Sequence, residues 1–193
     1  MAPAQFAFTA RIRRAAQTSR PARALLAFAS SAISIALMTL VALVTSQPLV
    51  FPSLGPTAYL LFDRPHSAAA APRAVFLGHL IGVAAGYASL AAFGLRHAPS
   101  TLQNGLVAGR IGAAAMSLGL TAAGMVLLRS WHAPAGATTL IVSLGLLIRP
   151  EQLGTLMGAV VLLILQGIVF DKLGLALPTW KPRSKRVGEG DKY

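Results

Sequence analysis

The chain has no cysteine among its 193 residues. That excludes disulfides, thiol nucleophiles and cysteine-based metal sites. Charge is scarce as well. Charged residues make up 11% of the sequence, against about 25% in a soluble domain. What replaces them is apolar: 55% of the residues are hydrophobic, and the mean hydropathy is +0.65. The apolar residues fall in long runs, the pattern of an all-α polytopic membrane protein rather than a water-soluble core.

The charges that remain are mostly positive, with 17 lysines and arginines against five acids and a net charge of +12. Residues 1–23 hold five arginines and no acid, and residues 171–193 hold six bases against three acids. These basic tails flank apolar spans, as the positive-inside rule expects. No binding motif or aromatic interleaving goes with them, so nucleic acid is not the expected partner. Both termini are expected in the cytoplasm of a bacterial inner-membrane protein, with an organellar membrane as the alternative. Phe6, Phe8 and Ile12 are compatible with a weak interfacial helix, and the tail after Thr179 reads as disordered.

Four spans are expected, over about 24–45, 74–93, 106–128 and 153–170. They make up a membrane domain over 24–170. Between the first two lies Phe51-Pro-Ser-Leu-Gly-Pro-Thr-Ala-Tyr-Leu-Leu-Phe62. Between the last two lies Trp131-His-Ala-Pro-Ala-Gly-Ala-Thr-Thr-Leu140, running on to Ile148. Proline lacks a backbone N–H and suits a first helical turn. Ala135 to Ile148 is 14 residues, short of the roughly 20 that span a bilayer. Both stretches therefore read as broken or re-entrant helices. Irregular backbone at that depth is tolerated where it is buried in protein or lines a cavity.

Sliding the chain against itself by 81 positions sets Gly55 on Gly136, Thr57 on Thr138 and Ser53 on Pro134. The order long span, broken helix, long span then occurs twice, in about 24–93 and 105–170. Transporters are often built from such duplications, with the site at the repeat interface. If the broken helices re-enter, four spans result; if they cross, there are six and the halves are inverted.

No catalytic residues, cofactor or metal are expected. The serines sit in no nucleophile elbow, and His66, His79, His97 and His132 lack a ligand spacing. A composite metal site from His66, His79 and His132 is the lesser alternative. The favoured reading is an anion path. Free N–H groups at Gly55–Thr57 and Gly136–Thr138 would face a small anion. The hydroxyls of Ser53, Thr57, Thr138 and Thr139 would add donors, or would bond back to their own helix. Arg64, Arg73, Arg110, Arg129 and Arg149 lie at the ends of apolar segments. Snorkelling to headgroups is the ordinary outcome there and lining a path the alternative. Asp63 with Arg64, and Arg149 with Glu151, read as ion pairs or gates. His66, His79 and His132 would tune the path or carry a proton. Gly78, Gly82 and Gly86 form a small-residue face suited to close helix contact, and so to a homo-oligomer.

Taken together, Phe51–Phe62, Pro65-His-Ser67, Pro72-Arg73, Gly78-His79 and His132-Ala-Pro-Ala-Gly-Ala-Thr138 resemble the HPP family of integral membrane proteins. That family is named for a His-Pro-Pro motif followed by Ala-Gly-Ala, and Ala133 stands here at the first proline. The resemblance covers about Ala24 to Phe170. It implies about four spans and a transporter-like role, and some plant and cyanobacterial members are associated with nitrite. The resulting expectation is a transporter of a small anion such as nitrite. An anion channel of the same architecture, or a membrane scaffold without transport, are the alternatives. Membrane lipid is the expected surrounding partner.

Overall fold

The computed structural model describes residues 19–65 and 67–172, with side chains through Phe170. The expectations for the tails before Ser19 and after Lys172, and for His66, lie outside the described residues.

Seven α-helices and no strand are present among the described residues. They are α1 (Arg20–Thr45), α2 (Leu54–Asp63), α3 (Pro72–Ala92), α4 (Thr101–Asn104), α5 (Ala108–Leu127), α6 (Ala135–Ser143) and α7 (Pro150–Lys172), with a 3₁₀ turn at Ala68–Ala70. Four of them, α1, α3, α5 and α7, are long and apolar enough to cross a membrane. The protein is thus an integral, multi-pass, all-α membrane protein. Sequence punctuation accounts for the short helices. Pro72 opens α3, and Ser100 with Gln103 forms a capping box that starts α4. The region of α4 reads as plain loop from composition. α6 stops at Ser143, five residues before the expected end, because Gly145 takes φ +82°.

The path of the chain decides between re-entry and crossing. Asp63, at the end of α2, accepts a hydrogen bond at 2.9 Å from Arg23 Nε in the first turn of α1. The chain has therefore come back to the end from which α1 set out. The second half behaves the same way: the Ser143 carbonyl at the end of α6 accepts at 3.0 Å from Arg110 Nη1 in the first turn of α5. Both broken segments therefore carry the chain back to the end from which the preceding long helix set out, the path expected of six passes. Phe62 of α2 and Phe170 of α7 stack edge to face with centroids 5.2 Å apart. The described ends of α1 and α7 consequently share one side.

Helix pairing is unchanged when the two halves are exchanged. α2 packs on α1 and on α7; α6 packs on α5 and on α3; α3 meets α7 at the centre. Each broken helix thus leans on the closing span of the other half. Because the chain has no cysteine, single cysteines test this path cleanly. Arg64→Cys and Leu102→Cys should be labelled from opposite sides of the membrane by an impermeant maleimide. Labelling from one side only contradicts the six-pass path.

Lipid tails are as apolar as leucine, so helices in a membrane associate mainly through packing and buried hydrogen bonds. The glycine face of α3 supplies the packing. A Cβ at Gly78 would lie 2.8 Å from His132 Cβ, one at Gly82 2.7 Å from the Ala135 carbonyl oxygen, and one at Gly86 2.7 Å from Val142 Cβ. This corrects the expectation of an oligomer contact there. The face is used up inside the chain, where it lets the α6 backbone lie directly on α3. Ser34 of α1 donates to Gln166 of α7, adding a polar link across the other half.

Arg110 departs furthest from expectation. It does not snorkel; it is 1% exposed. Its guanidinium donates to the Ser143, Ala98 and Pro99 carbonyls at 3.0, 3.1 and 2.8 Å. A cation at a helix C-terminus satisfies carbonyls that the helix leaves open. Gly145 makes room, since a Cβ there would lie 2.5 Å from the guanidinium. Arg110→Gln should leave these carbonyls short of donors and cost about 3 kcal/mol or more. Arg110→Lys should recover only part of that, lacking the fork. Thermal unfolding midpoints in detergent check both.

Candidate functional site

Two broken helices bring two threonines to the middle of the bundle. Thr57 is the fourth residue of α2, and Thr138 is the fourth residue of α6. His79 lies between them on α3, less than one turn from that helix's midpoint at Gly82. His79 Nε2 is 3.0 Å from Thr57 Oγ1, and His79 Nδ1 is 2.7 Å from Thr138 Oγ1. His132 enters from the turn before α6. Its Nε2 is 3.1 Å from Thr57 Oγ1 and 3.2 Å from His79 Nε2. The two rings stand with centroids 4.9 Å apart and planes tilted by 60°. All four side chains have no solvent exposure.

Local chemistry explains the placement. Pro134 stands at the N-cap in helical geometry, with φ −56° and ψ −21°. The chain before it turns tightly, His132 O accepting from Ala135 N at 3.0 Å. That turn directs His132 back onto Gly78. Only glycine at 78 leaves room for it, as the 2.8 Å Cβ distance shows. The ring is then fixed by the Ala69 carbonyl, 2.7 Å from Nδ1.

Partner identities assign the protons. A carbonyl only accepts, so His132 Nδ1 carries hydrogen and donates to Ala69. In the neutral ring Nε2 is then bare. The facing His79 Nε2, 3.2 Å away, must bring the hydrogen, because two lone pairs would repel. His79 Nδ1 is therefore the acceptor, and Thr138 Oγ1–H donates to it. Thr57 Oγ1 donates to the Ser53 carbonyl at 3.0 Å, and the His79 Nε2–H is shared between Thr57 Oγ1 at 3.0 Å and His132 Nε2 at 3.2 Å. Every polar atom of the four side chains has a partner, and no fixed charge is among them.

The other expected site residues divide clearly. Ser53 and Thr139 are buried with hydroxyls that have no partner among the described residues. Buried polar groups are normally paired, so such hydroxyls invite explanation. Ser53 lies one turn before Thr57, and Thr139 follows Thr138. Pro134 is buried, Gly136 half-buried and Gly55 exposed. The expectation of free N–H groups at Gly136–Thr138 is corrected. Gly136 N donates to Ala133 O at 2.9 Å, Ala137 N to Pro134 O at 3.1 Å, and Thr138 N to Pro134 O at 3.4 Å. The tight turn around Pro134 consumes them. In α2, Pro56 has no N–H to offer.

The arginines stay away from the cluster. Arg64, Arg73 and Arg149 are exposed. Arg64 and Arg73 lie at one end of the bundle. Arg149 lies beyond the far end of α6, the helix that starts at the cluster. Among the described residues Asp63 pairs with Arg23 at 2.8 Å and with Arg64 at 3.7 Å. Arg149 and Glu151, both exposed, form no ion pair with each other. These charges are interfacial. Of the composite metal set, His79 and His132 meet, and among the described residues no group of three His, Cys, Asp or Glu forms.

Two contributors escape the sequence reading. The Ala69 carbonyl sits in an alanine run with no distinguishing signal. Ser130, whose hydroxyl donates to Ala74 O at 3.0 Å, pins the His132 turn to α3 through an otherwise ordinary serine.

No curated protein matches the chain, and no solved structure does either. One family model matches, described as HPP, transmembrane region, over residues 16–177. The two histidines, both threonines and both broken helices all fall inside that region, and with most of its length matched the chain belongs to the HPP transmembrane family.

Proposed function

We propose that this membrane protein transports a small monovalent anion, of which nitrite is the test case, and binds it at Thr57, His79, His132 and Thr138. The observation that carries the reading is the meeting of these four buried side chains where the two broken helices converge. Sites of secondary transporters lie at such repeat interfaces near mid-depth. Polar groups within spans are costly and mark solute paths. The unpartnered hydroxyls of Ser53 and Thr139 add donors close by. The cluster is sealed on all sides, which suits a carrier caught occluded better than an open channel. Arg64, Arg73 and Arg149 then serve at the two mouths, raising local anion concentration without touching the bound ion. We place both termini on the cytoplasmic side, from the basic character of the tails.

The test is uptake of nitrite into proteoliposomes, with nitrate, formate and chloride as competitors. Saturable, protein-dependent uptake is the expected result. Uptake no faster than in empty liposomes, with the protein inserted and folded, removes nitrite as substrate.

A further inference from the structure

The cluster holds two imidazoles in direct contact and, among the described residues, no bonded group that would neutralise a charge on them. From α2 they face Thr57, from α6 Thr138, and from the 3₁₀ turn the Ala69 carbonyl. α5 contributes buried Ser117 and Thr121, and its Arg110 is held at the opposite end of α6. The buried face of α7 is aliphatic: Leu156, Ala159, Val160 and Leu163. Among the described residues no carboxylate, lysine or arginine bonds to either ring.

The proton assignment makes one position special. His79 Nδ1 is the ring nitrogen with no hydrogen of its own that is not already facing the other ring. A proton arriving there gives His79 two N–H groups. Its Nε2–H is already shared with the bare His132 Nε2, 3.2 Å away, so the charge spreads over both rings. A second proton is excluded, because two cations would then face each other at that distance. At the other nitrogen the change is equally definite. Thr138 Oγ1 has been donating to Nδ1; it must now accept from Nδ1–H. The hydroxyl turns, and its own hydrogen is released.

We infer that the His79–His132 pair takes up one extra proton at His79 Nδ1, the hydrogen already between the two Nε2 atoms then being shared by both rings, and that this loading turns Thr138 from donor to acceptor and frees the Thr138 hydroxyl hydrogen for the anion. This rests on the anion reading above and names the coupling ion for the same site. No bond other than N–H forms, and the proton comes from the aqueous side that the site faces. One step thus supplies both the positive charge and the donor that the empty cluster lacks. An unprotonated pair offers an anion neither. Proton and anion load together, one to one, and the loaded site is neutral.

Two measurements separate this inference from the anion reading. The first is a spectrum of ¹⁵N-histidine-labelled full chain in lipid nanodiscs without any anion, titrated towards acid. One strongly deshielded proton correlated to two rings, lost in both His79→Gln and His132→Gln, is expected. Two rings that take up protons independently overturn the inference. The second is nitrite uptake in proteoliposomes with the interior pH recorded. Initial rates above empty liposomes should carry one proton per nitrite. A tenfold proton gradient should support about tenfold accumulation, independent of membrane potential. Thr138→Ser should keep this coupling and Thr138→Val should lose it. Saturable uptake without proton flux keeps the anion reading and overturns the shared proton. A shared proton with no nitrite uptake does the reverse.

Discussion

His132→Ala should reduce anion uptake by about 10- to 100-fold while the protein still inserts and folds. The side chain touches three partners at once: the Ala69 carbonyl at 2.7 Å, Thr57 at 3.1 Å and His79 at 3.2 Å. Removing it leaves each short of a partner in a fully buried site, at about 1–3 kcal/mol per group. Each 1.4 kcal/mol is roughly a factor of ten in an equilibrium. The hole also frees His79 to turn. Arg149→Ala is the control. Arg149 is exposed beyond the far end of α6, and its loss should change uptake by less than about threefold, more at low salt than at high salt. Equal losses in the two variants would favour an electrostatic path over the buried cluster.

Gly82→Ala should destabilise the protein more than any other single methyl added to α3. Its Cβ would fall 2.7 Å from the Ala135 carbonyl oxygen and 3.4 Å from Thr139 N. Both are backbone atoms of α6, so no side chain can swing aside; the whole helix must shift. Overpacking of this kind costs about 1–3 kcal/mol or more. The melting midpoint should fall by roughly 5 °C. Gly154→Ala on α7 meets nothing within 4 Å. It should leave the midpoint unchanged or raise it slightly, since alanine favours helix. Because α6 carries Thr138, Gly82→Ala should also lower uptake. A variant that melts like the parent would mean that α6 does not pack on α3 in this way.

Much of this architecture can be read from single residues. The apolar runs mark the four spans, since nothing else hides so many leucines and valines. Pro52, Pro56 and Pro134 mark the broken helices, and the 81-residue offset that sets Gly55 on Gly136 and Thr57 on Thr138 exposes the repeated order. His79 and His132 stand out because an imidazole inside a span needs a partner. What cannot be read is contact across the chain. His79 and His132 are 53 positions apart, and no local pattern says that they touch. A Gly-x-x-x-Gly face looks the same whether it receives a second chain or α6. An arginine at a span end looks the same whether it is exposed, as Arg149 is, or caps a helix, as Arg110 does. The amide groups before Thr138 looked free because a helix start leaves four N–H groups open. The turn at Pro134 closes them locally, and that depends on backbone angles no residue type dictates.

Those corrections move the proposed recognition of an anion from amides and arginines to imidazoles and hydroxyls. Thr57 is the residue on which both rings converge, and it is the most direct probe of that shift. The deciding measurement is nitrite uptake by Thr57→Val in proteoliposomes, with its melting midpoint recorded alongside. Valine keeps the shape and removes the single oxygen that both Nε2 atoms approach. The account predicts uptake at least about tenfold below the parent, with folding retained and Thr57→Ser close to normal. A folded Thr57→Val protein that takes up nitrite at the parent rate would contradict it.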